Sequence, residues 1–579
     1  MKLSSNYIVA LALLVAACGG TEPDPPDNGG GTPPPPPPPP PPSGSCAAAV
    51  DVALQPGEHV VVNPASGGGC VRFPAAGDAG AEYVYAAVAT NGTETTLGSS
   101  VTYRLTGTSV VTTSEASIAS AALPAQLDPS LGAFTRPKTR EAFHGMLRSR
   151  ERALATSPGM FLNLGSSGTS AVIPPTVGHQ RTFKVCETTT CSDFVDVPAT
   201  ARYVGPKGAI YVDNTVPAGG YSQADLNQVG FLFDNYLYPI DTTAFGRESD
   251  LDNNGVVVVL LTDQVNALSG NCNAEGSVIL GYFFGSDLLP GQEGSNGGEV
   301  FYGLVPDPNN AECTISLNYA SEYLAPTFIH EFQHMISFNQ HVLIRNGSSE
   351  DTWLNEGLSH FAEELGGRAI EDQHCSSGDC FTQFVVGDAG NAYRYLRDVE
   401  AHYLIEPGSS GGTLEERGAN WLFVRWLADH FGADENGTAF TRALVGTNRL
   451  GAANVAAVTG QPFATLVPEW QLANYLENLP GFVPASPRLQ YESWNFRATF
   501  EAFNAQSPGS YPRPYPLVPD STLTGAYSRQ GTLRAGSGRH LRILQAPQAG
   551  AVTMHLTDGS SQSIGSSSAA PRVGIARIR

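Results

Sequence analysis

Charge is scarce in this chain, and positive charge scarcest. Asp, Glu, Lys and Arg make up 15% of 579 residues, with 32 basic against 54 acidic side chains and a formal net charge of -22. No basic stretch could track a phosphate backbone, which excludes nucleic acid as a partner and leaves a self-repelling acidic surface. Long apolar runs are missing too. The longest, Tyr7 to Ala17, is about ten residues, roughly half of what a membrane-spanning helix requires. The nine cysteines contain no Cys-x-x-Cys pair, so a metal site built from thiolates is disfavoured. Low charge together with 63 Gly and 43 Pro describes a loop-rich, strand-rich extracellular build.

What is present at the N-terminus points to export. Lys2 precedes the apolar run, which closes in Val15-Ala16-Ala17-Cys18 and resembles a bacterial lipoprotein signal. Cleavage before Cys18 and acylation of its thiol would give an N-terminal lipid anchor in a membrane, with an ordinary secretory signal as the alternative. Gly19 and Gly20 favour the outer membrane or cell surface by analogy. Residues 18–45 then read as a Pro/Gly-rich tether whose Pro33–Pro42 run forms a polyproline II rod of about 30 Å. Apart from Cys18, eight cysteines remain, and proximity suggests the couples Cys46 with Cys70, Cys186 with Cys191, Cys272 with Cys313, and Cys375 with Cys380. Disulfides agree with an oxidising compartment.

The chemistry is concentrated between Pro326 and Glu364. TFIHEFQHMISFNQ places His330 and His334 four residues apart, so on a helix both imidazoles share one face and can reach one ion. Glu331, one residue round, can serve a water without occupying a coordination position. Zinc uses three protein ligands and lowers the pKa of a coordinated water toward ~7, where a nearby carboxylate can take its proton. A third ligand on the same segment would need His at 340, where the chain has Gln340; His341 is one position late. WLNEGLSHFAEEL offers Glu356 instead, with Trp353, Leu354, Leu358, Phe361, Ala362 and Leu365 forming an apolar face to seat it. A helix-start carboxylate favoured by the dipole is the plainer reading of Glu356, but it leaves HEFQH unexplained.

HEFQHMI followed by DTWLNEGLSHFAEEL resembles the glutamate-zincin metallopeptidases, most of all the hyicolysin-type bacterial zinc proteases. That resemblance implies His330, His334 and Glu356 as zinc ligands, Glu331 as general base, and a protein or peptide substrate. It spans roughly 178–479. His360 and Glu363 follow Glu356 by one and two turns and could hold a ligand imidazole through its outer N–H, Glu363 being the better candidate. The oxyanion needs a donor from a later helix. Where the family carries Tyr, shortly before Gly418, this chain reads Glu415, Glu416 and Arg417, so Arg417 is the substitute; Tyr393, Tyr395 and His402 compete.

The expected fold is α+β: a thermolysin-like two-subdomain zincin core flanked by small all-β domains. The chain divides into a lipoprotein signal at 1–17, the tether at 18–45, a β-sandwich-like domain at 46–125 and a connector or propeptide-like segment at 126–177. The N-terminal catalytic subdomain at 178–325, the helical catalytic subdomain at 326–491 and a C-terminal β domain at 492–579 complete it. Within the connector, TREAFHGMLRSRERAL reads as a charged helix. FKVC, DFVDVPATARYV, AIYVDN and VVVVLLTD read as strands, and Gly297–Val305 as the sheet edge that would pair with an extended peptide. Asp250, Asp252 and Asn254 occupy alternate positions of a Gly turn, the start of a Ca2+ loop that lacks its distal Glu; an Asx-rich turn is the alternative. A monomeric zinc endopeptidase is the expected function. A non-catalytic surface binding lipoprotein on the same scaffold, or a non-peptide zinc amidohydrolase, are the alternatives.

Overall fold

Most strands near the two ends of the chain alternate apolar and polar residues, as do Gln180–Cys186 and Phe194–Val204, whereas Val257–Leu261 in the middle is continuously apolar. The computed structural model describes residues 46–107, 139–156, 174–375, 378–408, 411–434, 436–522 and 527–579. The expected export signal and tether, and most of the connector, lie outside these residues. Cys46–Arg579 clusters as one compact unit of mixed α+β architecture, and all four expected disulfides are formed. No described helix is long and apolar enough to cross a membrane.

The terminal β segments do not form two small domains. One five-stranded sheet runs in the order Val50–Asp51, Cys70–Phe73, Val552–Asp558, Ser100–Gly107, Tyr527–Arg534. The second runs Asp520–Ser521, Gly538–Gln545, Ala81–Ala89, Pro571–Arg577, His59–Val62. Each sheet interleaves strands from both ends of the chain, which corrects the separate all-β domains expected at 46–125 and 492–579. Alternation identifies a strand but not its partner, and here the partners are more than 400 residues apart. Phe73, Tyr85, Leu105, Ile543 and Leu556 fill the space between the sheets. Ala81–Ala89 is buried along its whole length because Val84, Ala86 and Val88, on its other face, join the helical core. Residues 46–107 expressed alone are therefore expected to stay unfolded, lacking two of the five strands of one sheet and three of the five of the other. Circular dichroism with thermal melting checks this, and a cooperative transition in that fragment would refute it.

The central sheet has six strands in the order Gly281–Phe283, Val300–Gly303, Val257–Leu261, Gly208–Asp213, Phe194–Val204, Gln180–Cys186. Val257–Leu261 is apolar throughout because both faces are covered. Val257, Val259 and Leu261 meet the helices, and Val258 and Leu260 meet a second core that includes Phe143 and Leu147 of the helix Thr139–Ala155. The segment around Val300, expected at the edge, is internal: Val300–Gly303 is parallel to Val257–Leu261 on one side and antiparallel to Gly281–Phe283 on the other. The edge belongs to Gly281–Phe283, three residues too short to carry a periodic signal.

Leu317–Phe338 packs against this edge, Thr352–Ala369 and Cys380–Arg397 pack on that helix, and Leu414–Phe431 packs on those two. Cys380–Arg397 is one continuous helix. Two glycines set the spacing of the bundle. A Cβ at Gly418 would lie 2.3 Å from the Asn391 backbone, and one at Gly357 2.9 Å from the Asn420 carbonyl, so only glycine permits these approaches. Gly357 follows Glu356 and Gly418 follows Arg417, and the close crossings bring those two side chains together. Pro326, inside Leu317–Phe338, has no N–H for the Glu322 carbonyl one turn back; Gln383 Nε2 donates to that carbonyl instead, at 2.8 Å.

Candidate metal centre

His330 and His334 lie in the last turns of Leu317–Phe338, whose face from Tyr323 onward is buried. Their Nε2 atoms are 3.2 Å apart. Glu356 Oε2, from the next helix, lies 3.6 Å from His330 Nε2 and 3.7 Å from His334 Nε2. Donors about 2.1 Å from a tetrahedral ion stand about 3.4 Å from one another, so the three separations suit one zinc ion. Glu356 Oε1 is buried without a hydrogen-bond partner. The described residues thus fit a zinc site, with all three members buried.

The outer ring nitrogens are held from behind. His330 Nδ1–H donates to Glu363 Oε1 at 2.8 Å, and His334 Nδ1 lies 3.2 Å from Asn355 Oδ1 and 3.0 Å from Ser359 Oγ. These contacts turn each Nε2 lone pair toward the centre. Burial, followed by the charges of Arg148 and His330, holds His334 well below the usual imidazole range, which keeps it neutral and able to ligate. Burial alone would raise Glu363, but His330 and His360 outweigh it and hold the carboxyl near 2. His360 Nδ1 lies 2.9 Å from Glu363 and 2.8 Å from Asp388 Oδ1. Burial opposes its charged form, yet Asp388 and Glu363 raise the ring to about 10. Burial, with Glu363 close by, raises Asp388 as well, to about 7. Of the two expected supports, Glu363 reaches a ligand ring directly, and His360 braces Glu363. Replacing Glu363 with Ala is expected to weaken zinc binding about 10- to 100-fold. Competition with a chromogenic chelator measures it, and an unchanged affinity would refute this supporting role.

Glu331 faces the sheet edge. Its Oε2 accepts the Phe283 N–H at 2.7 Å, so the carboxylate is anchored between His330 and the edge strand. The helix Thr139–Ala155 lies along the same strand. Arg148 Nη2 donates to the Phe283 carbonyl at 2.6 Å, and Gly285 N–H donates to Glu151 Oε1 at 2.7 Å. Its His144 and Glu141 line one cavity with His330, Glu356, His360 and Arg417. None of this was legible in the helical pattern, which shows a charged face but not what the face meets.

Arg417 enters that cavity, but its Nη1 is 2.6 Å from Glu356 Oε2, so its first partner is the candidate ligand. The competing tyrosines are engaged elsewhere: Tyr393 OH donates to the Arg513 carbonyl, and Tyr395 OH pairs with Ser537 Oγ. His402 acts on Glu415 and Glu416 and does not line the cavity. His341 is buried 3.7 Å from Glu350, away from the centre.

The loop expected to bind Ca2+ brings Asp250 and Asp252 together with Glu299, and Asn254 Nδ2 donates to Asp252 Oδ2 at 2.7 Å. Asn254 Oδ1 accepts the Val256 N–H at 2.7 Å, which closes an Asx turn and engages the oxygen expected to ligate. Glu299 stands in the loop before Val300–Gly303, too far along the chain for loop spacing to reveal it.

With this geometry, the chain is similar to a bacterial metalloprotease. It is 30% identical over 232 residues to the neutral metalloprotease ShpI of Staphylococcus hyicus, across 40% of this chain and 47% of that protein. The chain therefore spans about half the length of the relative it matches. No family model matches it.

Proposed function

We propose that the protein is a zinc endopeptidase, made in a latent form, that hydrolyses peptide bonds of extracellular proteins. The observation that carries this reading is the convergence of His330 Nε2, His334 Nε2 and Glu356 Oε2 at 3.2 to 3.7 Å, beside a Glu331 carboxylate tied to a sheet edge. His330, His334 and Glu356 would hold zinc, which when bound acidifies water and polarises the carbonyl under attack. Glu331 takes the water proton and passes it to the leaving amine. Arg417, already oriented by Glu356, presents positive charge to the cavity where the oxyanion develops. The outer edge of Gly281–Phe283, whose Phe283 carbonyl Arg148 now takes, would suit an extended peptide once that contact is released and favours a protease over an amidohydrolase of small molecules.

The finer architecture belongs to the same proposal. Residues 178–325 and 326–491 act as the two subdomains of a thermolysin-like core, with the centre at their junction. Export as a lipoprotein through Cys18, on the tether 18–45, would hold a monomeric enzyme at the cell surface. Within 126–177, the helix Thr139–Ala155 serves as a propeptide-like latch: Arg148 and Glu151 take the edge-strand groups that a substrate backbone would use.

Zinc content and casein hydrolysis, measured before and after limited proteolysis, test the function. Activity should be abolished by a chelator and restored by Zn2+. Bound zinc without hydrolysis in either form would refute it and favour a non-catalytic binding scaffold.

A further inference from the structure

Beside Glu331 a second cavity opens between the edge strand and the helices Leu317–Phe338 and Cys380–Arg397. Its walls are of two kinds. Leu280, Tyr323 and Phe384 are apolar, whereas Gln383 and Asp388 are polar and almost fully buried, with exposures of 7% and 3%.

Each of these two polar side chains has one polar atom engaged and one buried acceptor without a partner. Gln383 is oriented by Pro326: its Nε2 donates to the carbonyl that the proline leaves unpaired, and its Oε1 is then buried with no hydrogen bond. Asp388 places Oδ1 2.8 Å from His360 Nδ1, and its Oδ2 is buried with no hydrogen bond. Buried acceptors without donors are uncommon in folded proteins, and two lining one cavity call for a ligand that brings donors. The charge agrees: Glu331, Glu363 and Asp388 face this cavity, and His360 is the one cationic side chain among them.

Gly387 supplies a separate observation. Glycine weakens a helix interior, and elsewhere in this bundle it is explained by close backbone approach. At Gly387 a Cβ would meet nothing within 4 Å, and its φ is not in the left-handed region. What glycine preserves there is open space in the cavity wall.

We infer that this cavity is a specificity pocket that takes a Lys or Arg side chain adjacent to the scissile bond. The aliphatic stem lies along Leu280, Tyr323 and Phe384, and the cationic head donates to Asp388 Oδ2 and Gln383 Oε1. This rests on the proposed endopeptidase activity and adds its substrate class.

The test is the cut-site profile of zinc-loaded full-length protein on denatured casein, read by mass spectrometry after limited proteolytic activation and in the Arg148→Ala background. Cuts beside Lys or Arg are expected at least tenfold above their share of the sequence. Asp388→Asn, and independently Gly387→Leu, which fills the cavity without touching the His360 contact, should each lower the ratio of basic to other cuts fivefold or more. Cuts indifferent to basic residues would overturn the pocket and leave the protease standing. A basic preference that survives both substitutions would overturn its assignment to this cavity. No chelator-sensitive cutting under any condition would overturn the proposed function and this inference with it.

Discussion

Glu331→Gln is expected to lower kcat/KM for casein by about 10²- to 10⁴-fold, the usual contribution of a positioned general base, while leaving zinc content unchanged. The amide keeps the volume and can still accept the Phe283 N–H through its oxygen, so the edge strand stays anchored and the fold is preserved. What it loses is basicity. Because the three candidate ligands come from His330, His334 and Glu356, the metal site has no call on residue 331. Activity measured alongside bound zinc separates the two roles. A variant that retains both zinc and most of the wild-type rate would place the base elsewhere, whereas loss of zinc as well would mean that Glu331 holds the site together.

The second large effect concerns latency. Arg148→Ala removes the donor to the Phe283 carbonyl and leaves Glu151 without its neighbour, 3.2 Å away. A buried hydrogen bond to a charged group contributes about 1.5–3 kcal/mol, so the docked-to-undocked ratio of the latch should fall roughly 10- to 100-fold and basal activity rise accordingly. Phe143 and Leu147 still anchor the helix in the core beneath the sheet, which limits the gain short of proteolytic removal. pH should act on the same contact. Burial, offset in part by Arg148 and the Gly285 amide, raises the docked Glu151 carboxyl from its ordinary 4.5 to about 7. A raised carboxylate binds its proton more tightly when docked, so docking is strongest below pH 4.5 and weakens as pH rises through about 7. Unactivated protein should therefore show deeper latency, relative to activated protein, at mildly acid than at mildly alkaline pH. Equal basal rates for wild type and Arg148→Ala would refute the latch.

Much of the candidate centre was legible because its signals are local. His330, Glu331 and His334 fall within five residues, and helical periodicity alone puts both imidazoles on one face. Glu356 and Glu363 needed only one further helix, and their spacing of seven residues keeps them on one side of it. Asn355 and Ser359, which flank the outer nitrogen of His334, share that segment and carried a readable signal, being polar residues on a helix otherwise turned toward the core. Arg417 was found as a charged residue beside Gly418, but its nearest partner, Glu356, could not be read because it depends on how closely two helices approach.

By itself, then, the sequence pointed to the candidate residues of the centre, the disulfide couples and most individual helices and strands, since these depend mostly on residues within one or two neighbouring elements. Tertiary structure decided whatever depends on pairing between distant segments. It interleaved the terminal strands into shared sheets and moved the sheet edge from the Val300 strand to Gly281–Phe283. It brought Glu299 beside Asp250 and Asp252. It also laid Thr139–Ala155 along the edge strand and turned Asp388 and Gln383 toward one cavity. Periodicity records which face of an element is buried, but the identity of the surface that buries it is fixed only when the whole chain packs.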